Sequence, residues 1–340
     1  MGNRLRRALV AAVAGAVVVS GLPSGAVTRR ERIALAARYI ASRQQADGSI
    51  PGFSPVGGTA DAVLALAAAR RGAQAVADAL AFLEGQAPGI SSVGQLGKVA
   101  MAAVAAGRDP RAFGGVDLVE RIQAAYDPET GRYGTDQGVG VVDQALAMLG
   151  LAAAGVPVPR RAARWLAEAQ CPDGGWQFDA PYDPATDDRH CSSGEEDLSV
   201  TDTNSTAYAV MALEVAPPVR LRRDPFRYFD LARDGVKGGW RFDHRRRPFG
   251  TLAVTDANST ALVLQAYAAA GAEPPPRARR ALAALQYRPC GRLAGAFAFT
   301  WVQRDGRWVR SPSRAEARAE AASGGVTVIG ATVGAVPGLA

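Results

Sequence analysis

Gly174-Gly175-Trp176-Gln177-Phe178-Asp179 returns further along the chain, nearly unchanged, as Gly238-Gly239-Trp240-Arg241-Phe242-Asp243. Looser copies stand at Gly295-Ala296-Phe297-Ala298-Phe299, Gly131-Arg132-Tyr133-Gly134 and Gly48-Ser49-Ile50. Glycine takes backbone angles that other residues resist, so each copy reads as a tight turn whose following aromatic or apolar residue swings back over a helix end. Five such turns spread along the chain mark an internal repeat, and repeats of this length build stacked arrays.

On either side of the turns the apolar residues fall at helical spacing. An amphipathic helix precedes each turn and a more apolar, Ala-rich helix follows it. The pairs are 31–44 with 59–71, 75–85 with 93–107, 116–126 with 140–155, 159–170 with 203–215, 226–234 with 257–271, and 275–287 with 324–336. After the two strongest turns come Val200-Thr201-Asp202-Thr203-Asn204-Ser205-Thr206-Ala207 and Val254-Thr255-Asp256-Ala257-Asn258-Ser259-Thr260-Ala261. Asp and Thr are good helix N-caps, so each string opens a helix. Twelve helices and no break in the series predict an all-α chain with one domain over residues 27–340. Periodicity alone leaves an open solenoid and a closed ring as equal solutions.

The chain has 340 residues and is 48% hydrophobic, enough to bury a full core. Its formal charge of +7 is carried by arginine, since Lys98 and Lys237 are the only lysines. Arg clusters at 220–227 and 245–247 suit an anionic envelope component, and no nucleic-acid motif accompanies them. At the N-terminus, Arg4, Arg6 and Arg7 precede an apolar run from Ala8 to Val19 and the small residues Ser24, Gly25 and Ala26. This is the pattern of a secretory signal peptide over residues 1–26, and the run is short for a membrane span. Export to an oxidising compartment makes a disulfide possible. Cys171 and Cys191 bracket a Gly- and Asp-rich loop with little apolar material, and that pair is preferred to Cys171 with Cys290.

The spacing Leu166, Gln170, Gly174, Trp176 resembles the QW repeat of triterpene cyclases. Ile40, Gln44, Gly48 and Ile50 repeat it, whereas the Trp240 copy carries Asp234 in place of Gln. The resemblance implies the (α/α)6 toroid of squalene cyclases, protein prenyltransferase β subunits and the cobalamin carriers, with six helix pairs around a central cavity. In squalene-hopene-type cyclases the middle Asp of D-x-D-D-T-A protonates the substrate. The matching strings here put Asn204 and Asn258 at that position, and a carboxamide is not an acid.

No D-D-x-x-D string offers a magnesium site, and His190 and His244 with three cysteines do not match a prenyltransferase zinc site. The segment Gly330 to Leu339 is similar to the end of the cobalamin-carrier toroid, though those carriers complete their site with an added β domain. The expected function is therefore a secreted, non-catalytic binder of a bulky corrinoid or isoprenoid-like ligand, or of an envelope partner, with no cofactor and no metal. The alternative is a terpene cyclase or prenyltransferase-type enzyme acting on an isoprenoid.

Asp202, Asn204, Asp256, Asn258, Trp176 and Trp240 are the candidate cavity residues. Helix capping competes for the two aspartates and turn stapling for the two tryptophans. An inward-facing carboxylic acid would favour the enzyme, and an apolar cavity edged by amides would favour the binder. Trp301 and Trp308 lie in a final insertion, and the acidic loop from Asp183 to Asp197 lacks the spacing of an EF-hand. The signal-peptide reading predicts a secreted chain beginning at Val27. N-terminal sequencing of protein from the culture medium checks it, and a full-length chain held in the membrane fraction is the contrary result.

Overall fold

The computed structural model describes residues 27–134, 140–178, 191, 201–244, 254–287, 291–323 and 326–340. The proposed signal peptide, Cys290, His190 and the acidic loop from Asp183 lie outside them. Thirteen α-helices and one short 3-10 helix, Ala87–Gly89, are present among the described residues. Six outer helices are α1 (Arg29–Ala41), α3 (Ala73–Gln86), α5 (Leu118–Ala124), α7 (Arg160–Glu168), α9 (Phe226–Ala232) and α11 (Ala278–Leu285). Six inner helices are α2 (Pro55–Ala69), α4 (Val93–Ala105), α6 (Val141–Ala153), α8 (Thr203–Glu214), α10 (Ala257–Ala269) and α13 (Thr327–Leu339).

The inner helices touch in the order α2, α4, α6, α8, α10, α13 and back to α2, so the array is a closed ring. Of the two solutions that periodicity left open, the ring is the one adopted, and the fold is an α/α toroid. The same succession of outer and inner helices follows from the sequence pairs.

Each turn is tied to its inner helix by one recurring hydrogen bond. The backbone N–H of the residue after the glycines donates to a hydroxyl one turn inside the helix. The pairs are Ile50 to Thr59 (2.9 Å), Trp176 to Thr206 (3.0 Å), Trp240 to Thr260 (3.0 Å) and Phe297 to Thr332 (2.9 Å). In the third repeat Gln144 takes the role of Thr, accepting from Tyr133 N–H at 2.9 Å.

A second bond links neighbouring repeats. The Gln44 amide donates to the Gly48 and Ala75 carbonyls, and the Gln170 amide to Gly174 and Arg223. Gln286 does the same for Gly295 and Arg32, which fastens the last repeat to the first. Where Asp234 replaces Gln, its carboxylate stays in its own repeat and accepts from Thr255, Val236 and Lys237. A third bond runs the other way. The carbonyls of Phe178, Phe242 and Phe299 accept from the first N–H of α6, α8 and α10, the inner helices of the preceding repeats. Helix starts leave such donors unsatisfied, so each of the last three repeats caps the one before it.

The final insertion forms a hairpin of β3 (Thr300–Arg304) and β4 (Arg307–Ser311), followed by α12 (Arg314–Ser323). A two-residue ladder, β1 (Trp176–Gln177) with β2 (Thr201–Asp202), pairs the turn of the fourth repeat with the start of α8. These short pieces and α12 are absent from the periodic reading because they lie in connections that carry no repeat. Cys171 and Cys191 form the preferred disulfide, with their Cα atoms 5.4 Å apart. Among the described residues no helix is long and apolar enough to cross a membrane.

Glycine sets how closely the inner helices approach. A Cβ at Gly97 of α4 would lie 2.2 Å from the Leu146 carbonyl of α6, and one at Gly150 would lie 2.6 Å from Gly97 Cα. Backbone cannot yield as a flexible side chain does. Gly97→Ala is expected to destabilise the protein by about 1–3 kcal/mol despite alanine's better helix propensity. A urea unfolding curve in which the variant is as stable as the parent would contradict this.

Candidate functional site

Five of the six inner helices bury one face against the outer layer and keep a stripe of partly exposed residues at spacings of three and four, whereas α6 is buried from Gln144 to Leu151 and leaves Asp143 part-exposed in its first turn. The stripe is Asp61 and Leu64 on α2, Lys98 and Met101 on α4, Asn204, Tyr208 and Met211 on α8, and Asn258, Leu262 and Gln265 on α10. On α13 it is Gly330, Gly334 and Pro337, which project little bulk. An ion pair of 3.0 Å joins Lys98 Nζ to Asp61 Oδ2. Lys98 also interacts electrostatically with Asp143 of α6 and Tyr208 of α8, and Tyr208 with Asp61. Helices α2 and α8 stand opposite one another in the ring. Groups on opposite helices sense each other only across the middle, so the stripes face the interior.

Burial works against the charge of Lys98 and is the largest single influence, but the Asp61 carboxylate, Tyr208 and Asp143 together outweigh it. The lysine pKa stands above its ordinary value and the ammonium is held protonated. The pKa of Asp143 is raised as well, which for a carboxyl favours the neutral form. Burial raises its pKa, and the Gly140 N–H (3.3 Å), the Ser92 hydroxyl (3.4 Å) and Lys98 offset this only in part. Burial likewise raises Tyr208. Asp143 has a structural role too, since its carboxylate accepts from the N–H of Gly140, the residue just before α6. Its carboxylate sits directly against Gly94, where a Cβ would lie 2.1 Å from Oδ1. Any side chain at position 94 would displace it.

Asp202 and Asp256 cap α8 and α10. Asp202 accepts from Asn204 N–H and Ser205 N–H at 2.8 Å and from the Ser205 hydroxyl at 2.6 Å. Asp256 accepts from Ser259 N–H at 2.8 Å. Burial pushes their carboxyls up, Asp202 to about 6 and Asp256 to about 7. Asn204 and Asn258 lie one step further in. Asn204 Oδ1 accepts from the Ser259 hydroxyl at 3.0 Å, joining α8 to α10, while Asn258 Oδ1 is buried without a hydrogen-bond partner.

Trp176 and Trp240 are fully buried between the layers, their indole N–H groups donating to the outer-helix carbonyls of Leu166 (2.6 Å) and Phe229 (2.8 Å). Stapling accounts for them. The repeat-based reading missed Asp61, Lys98, Asp143 and Tyr208, which lie outside the conspicuous strings. One signal was available: Lys98 is one of two lysines in the chain and stands inside an apolar helix. Among the described residues no group of three or more His, Cys, Asp or Glu is placed to hold a metal ion.

No family description matches the chain, and no curated protein is similar to it in sequence. Similarity to solved structures is clear in shape and weak in sequence. The type II terpene cyclase MstE from Scytonema superposes with a TM-score of 0.54 at 14% identity, covering 92% of this chain and 98% of its own. D-mannose isomerase gives 0.58 at 14% identity, with 93% and 99% covered. The α-1,6-mannanase GH76A of Salegentibacter sp. HEL1_6, in complex with α-1,6-mannotriose, gives 0.53 at 11% identity, with 92% and 98% covered. What they share with this chain is the toroid.

The buried caps make stability depend on pH. The folded-state pKa of Asp256 is about 7, well above its ordinary 3.8, so the native state holds the proton more tightly than the unfolded chain. That contribution is complete below the ordinary value and disappears as pH rises through the folded one. Asp256→Asn keeps an oxygen for Ser259 N–H and has no proton to lose. Between about pH 4 and pH 8 its melting temperature should fall less than the parent's, with an advantage of more than about 1 kcal/mol at the upper end. Thermal melts across that range check this, and parallel curves for the two proteins would refute it.

Proposed function

We propose that the protein is an exported enzyme that carries out acid–base chemistry on an amphipathic, isoprenoid-class substrate inside the ring. The observation that carries this reading is the meeting of Asp61, Lys98, Asp143 and Tyr208, from four inner helices, in the ring interior. An inward-facing acid with a raised pKa, beside a lysine held charged, is the arrangement that a general acid and its electrostatic partner require. The resemblance to the terpene cyclase repeat and the enzymes among the structural neighbours point the same way.

Position along the helices suggests how a substrate lies. Asp143, Asn204 and Asn258 stand in the first turns of parallel inner helices, whereas Met101, Met211 and Leu262 stand further along theirs. A polar head would rest near the amides and Lys98, and an apolar body would lie deeper. With Asn204 and Asn258 where a cyclase carries its acid, Asp143 is the residue we assign to proton donation. Lys98, paired with Asp61, would hold an oxygen of the substrate as negative charge develops there. The disulfide and the Arg-rich, apolar N-terminal sequence support export.

The test is conversion of isoprenoid alcohols, acids and diphosphates by the purified protein, followed by liquid chromatography and mass spectrometry, with mannose oligosaccharides as comparators. Asp143→Asn should lower turnover by about 10²-fold or more with the fold intact by circular dichroism. Retention of an isoprenoid without turnover would replace the enzyme with a carrier. Turnover of the sugars alone would overturn the substrate class.

A further inference from the structure

The outer wall of the fourth repeat carries a groove that the ring chemistry does not use. Its volume is about 440 Å³, and it runs between α7 and the connection that follows α8. Arg160, Arg164 and Glu168 form one exposed face of α7 at spacings of four, and Arg220 and Arg222 form the opposite rim. Val219 and Leu221, half-buried, supply an apolar surface between the guanidinium groups. Four arginines thus face a single carboxylate. None of the four arginines has an ion-pair partner among the described residues.

The two rims are held at a fixed separation. The Gln170 amide at the end of α7 donates to the Arg223 carbonyl at 2.9 Å and accepts from Arg223 N–H at 2.9 Å, pinning the connection beside the helix. Like charges brought together and left unneutralised raise the free energy of the bare surface, and an anion relieves it.

We infer that this groove binds a phosphodiester polymer, with arginine forks on successive phosphates and the apolar strip against the linking carbons. Arginine suits phosphate because its planar fork presents two parallel donors, which lysine cannot do. The concave shape and the fixed rims fit a chain lying lengthwise. A membrane surface fits less well, because no exposed large hydrophobic residue lines the groove. Phe53, Phe178, Leu231, Val236 and Phe242 all lie elsewhere.

Fluorescence anisotropy with labelled poly(glycerol phosphate) tests this on the intact mature protein. The quadruple variant Arg160→Gln, Arg164→Gln, Arg220→Gln, Arg222→Gln should bind at least about tenfold more weakly, with a shallower salt dependence. A control quadruple, Arg30→Gln, Arg38→Gln, Arg71→Gln, Arg280→Gln, has the same net charge and should change affinity by less than about twofold. All eight side chains are exposed, so neither variant should lose the fold, which thermal melts verify. Equal weakening by both quadruples would mean that net charge alone is responsible and would overturn the site. So would a parent that does not bind the polymer at low salt, or one that binds phosphatidylglycerol vesicles more tightly than the polymer.

Discussion

The hydrogen bond from each glycine-turn N–H to a side chain one turn inside the following helix is the constraint on which the ring rests. It fixes where the inner helix begins relative to the outer one, and therefore the angle between them. The bond is short and buried, and leaving such a donor without a partner costs about 1–3 kcal/mol. Threonine is suited to the task because its hydroxyl can also donate back along its own helix, as Thr59, Thr206 and Thr332 do to Pro55, Asp202 and Val328. Gln144 reveals what the position demands. It accepts from Tyr133 and also donates to Gly131 and Ala162, so one amide does the work that Thr206 and Gln170 divide in the next repeat. The aspartate at position 127, four residues before Gly131 where the Gln stands in other copies, keeps to its own turn, accepting from Glu129 and Thr130.

With the angles fixed, small residues decide how tight the ring is. Gly94, Gly97 and Gly150 let α4 and α6 meet backbone to backbone, and Gly334 and Gly338 bring α13 against Asn258 and Ala261 of α10. The same close approach seats the Asp143 carboxylate where water reaches it poorly. Packing and electrostatics are thus coupled at Gly94, a residue with no functional group of its own.

The fold was legible because it is periodic. Five turns and six helix pairs repeat a pattern, and the bonds behind the pattern recur at matching positions. The caps Asp202 and Asp256 were legible for the same reason. The charged interior was not, because Asp61, Lys98, Asp143 and Tyr208 occupy different positions in different repeats and come together only when the array closes. A motif compares a residue with its sequence neighbours, whereas these four are related by position around an axis. Trp176 and Trp240 show the converse, where conspicuous repetition signals a structural role. The end of α7 and the arginine connection after α8 are likewise separate in sequence and become one groove through Gln170.

The bond from Gln286 to Arg32, with Gly295 packed against the Leu35 carbonyl, makes the join between last and first repeats match those that Gln44 and Gln170 make. An open solenoid can fold progressively from one end, each new repeat settling on the last. A ring cannot, because α2 gains its second inner neighbour only when α13 arrives. Until then its flank is uncovered, and the interior charges lack part of the wall that shields them. Sealing is consequently a single late event between segments nearly the whole chain apart, of the kind that slows folding.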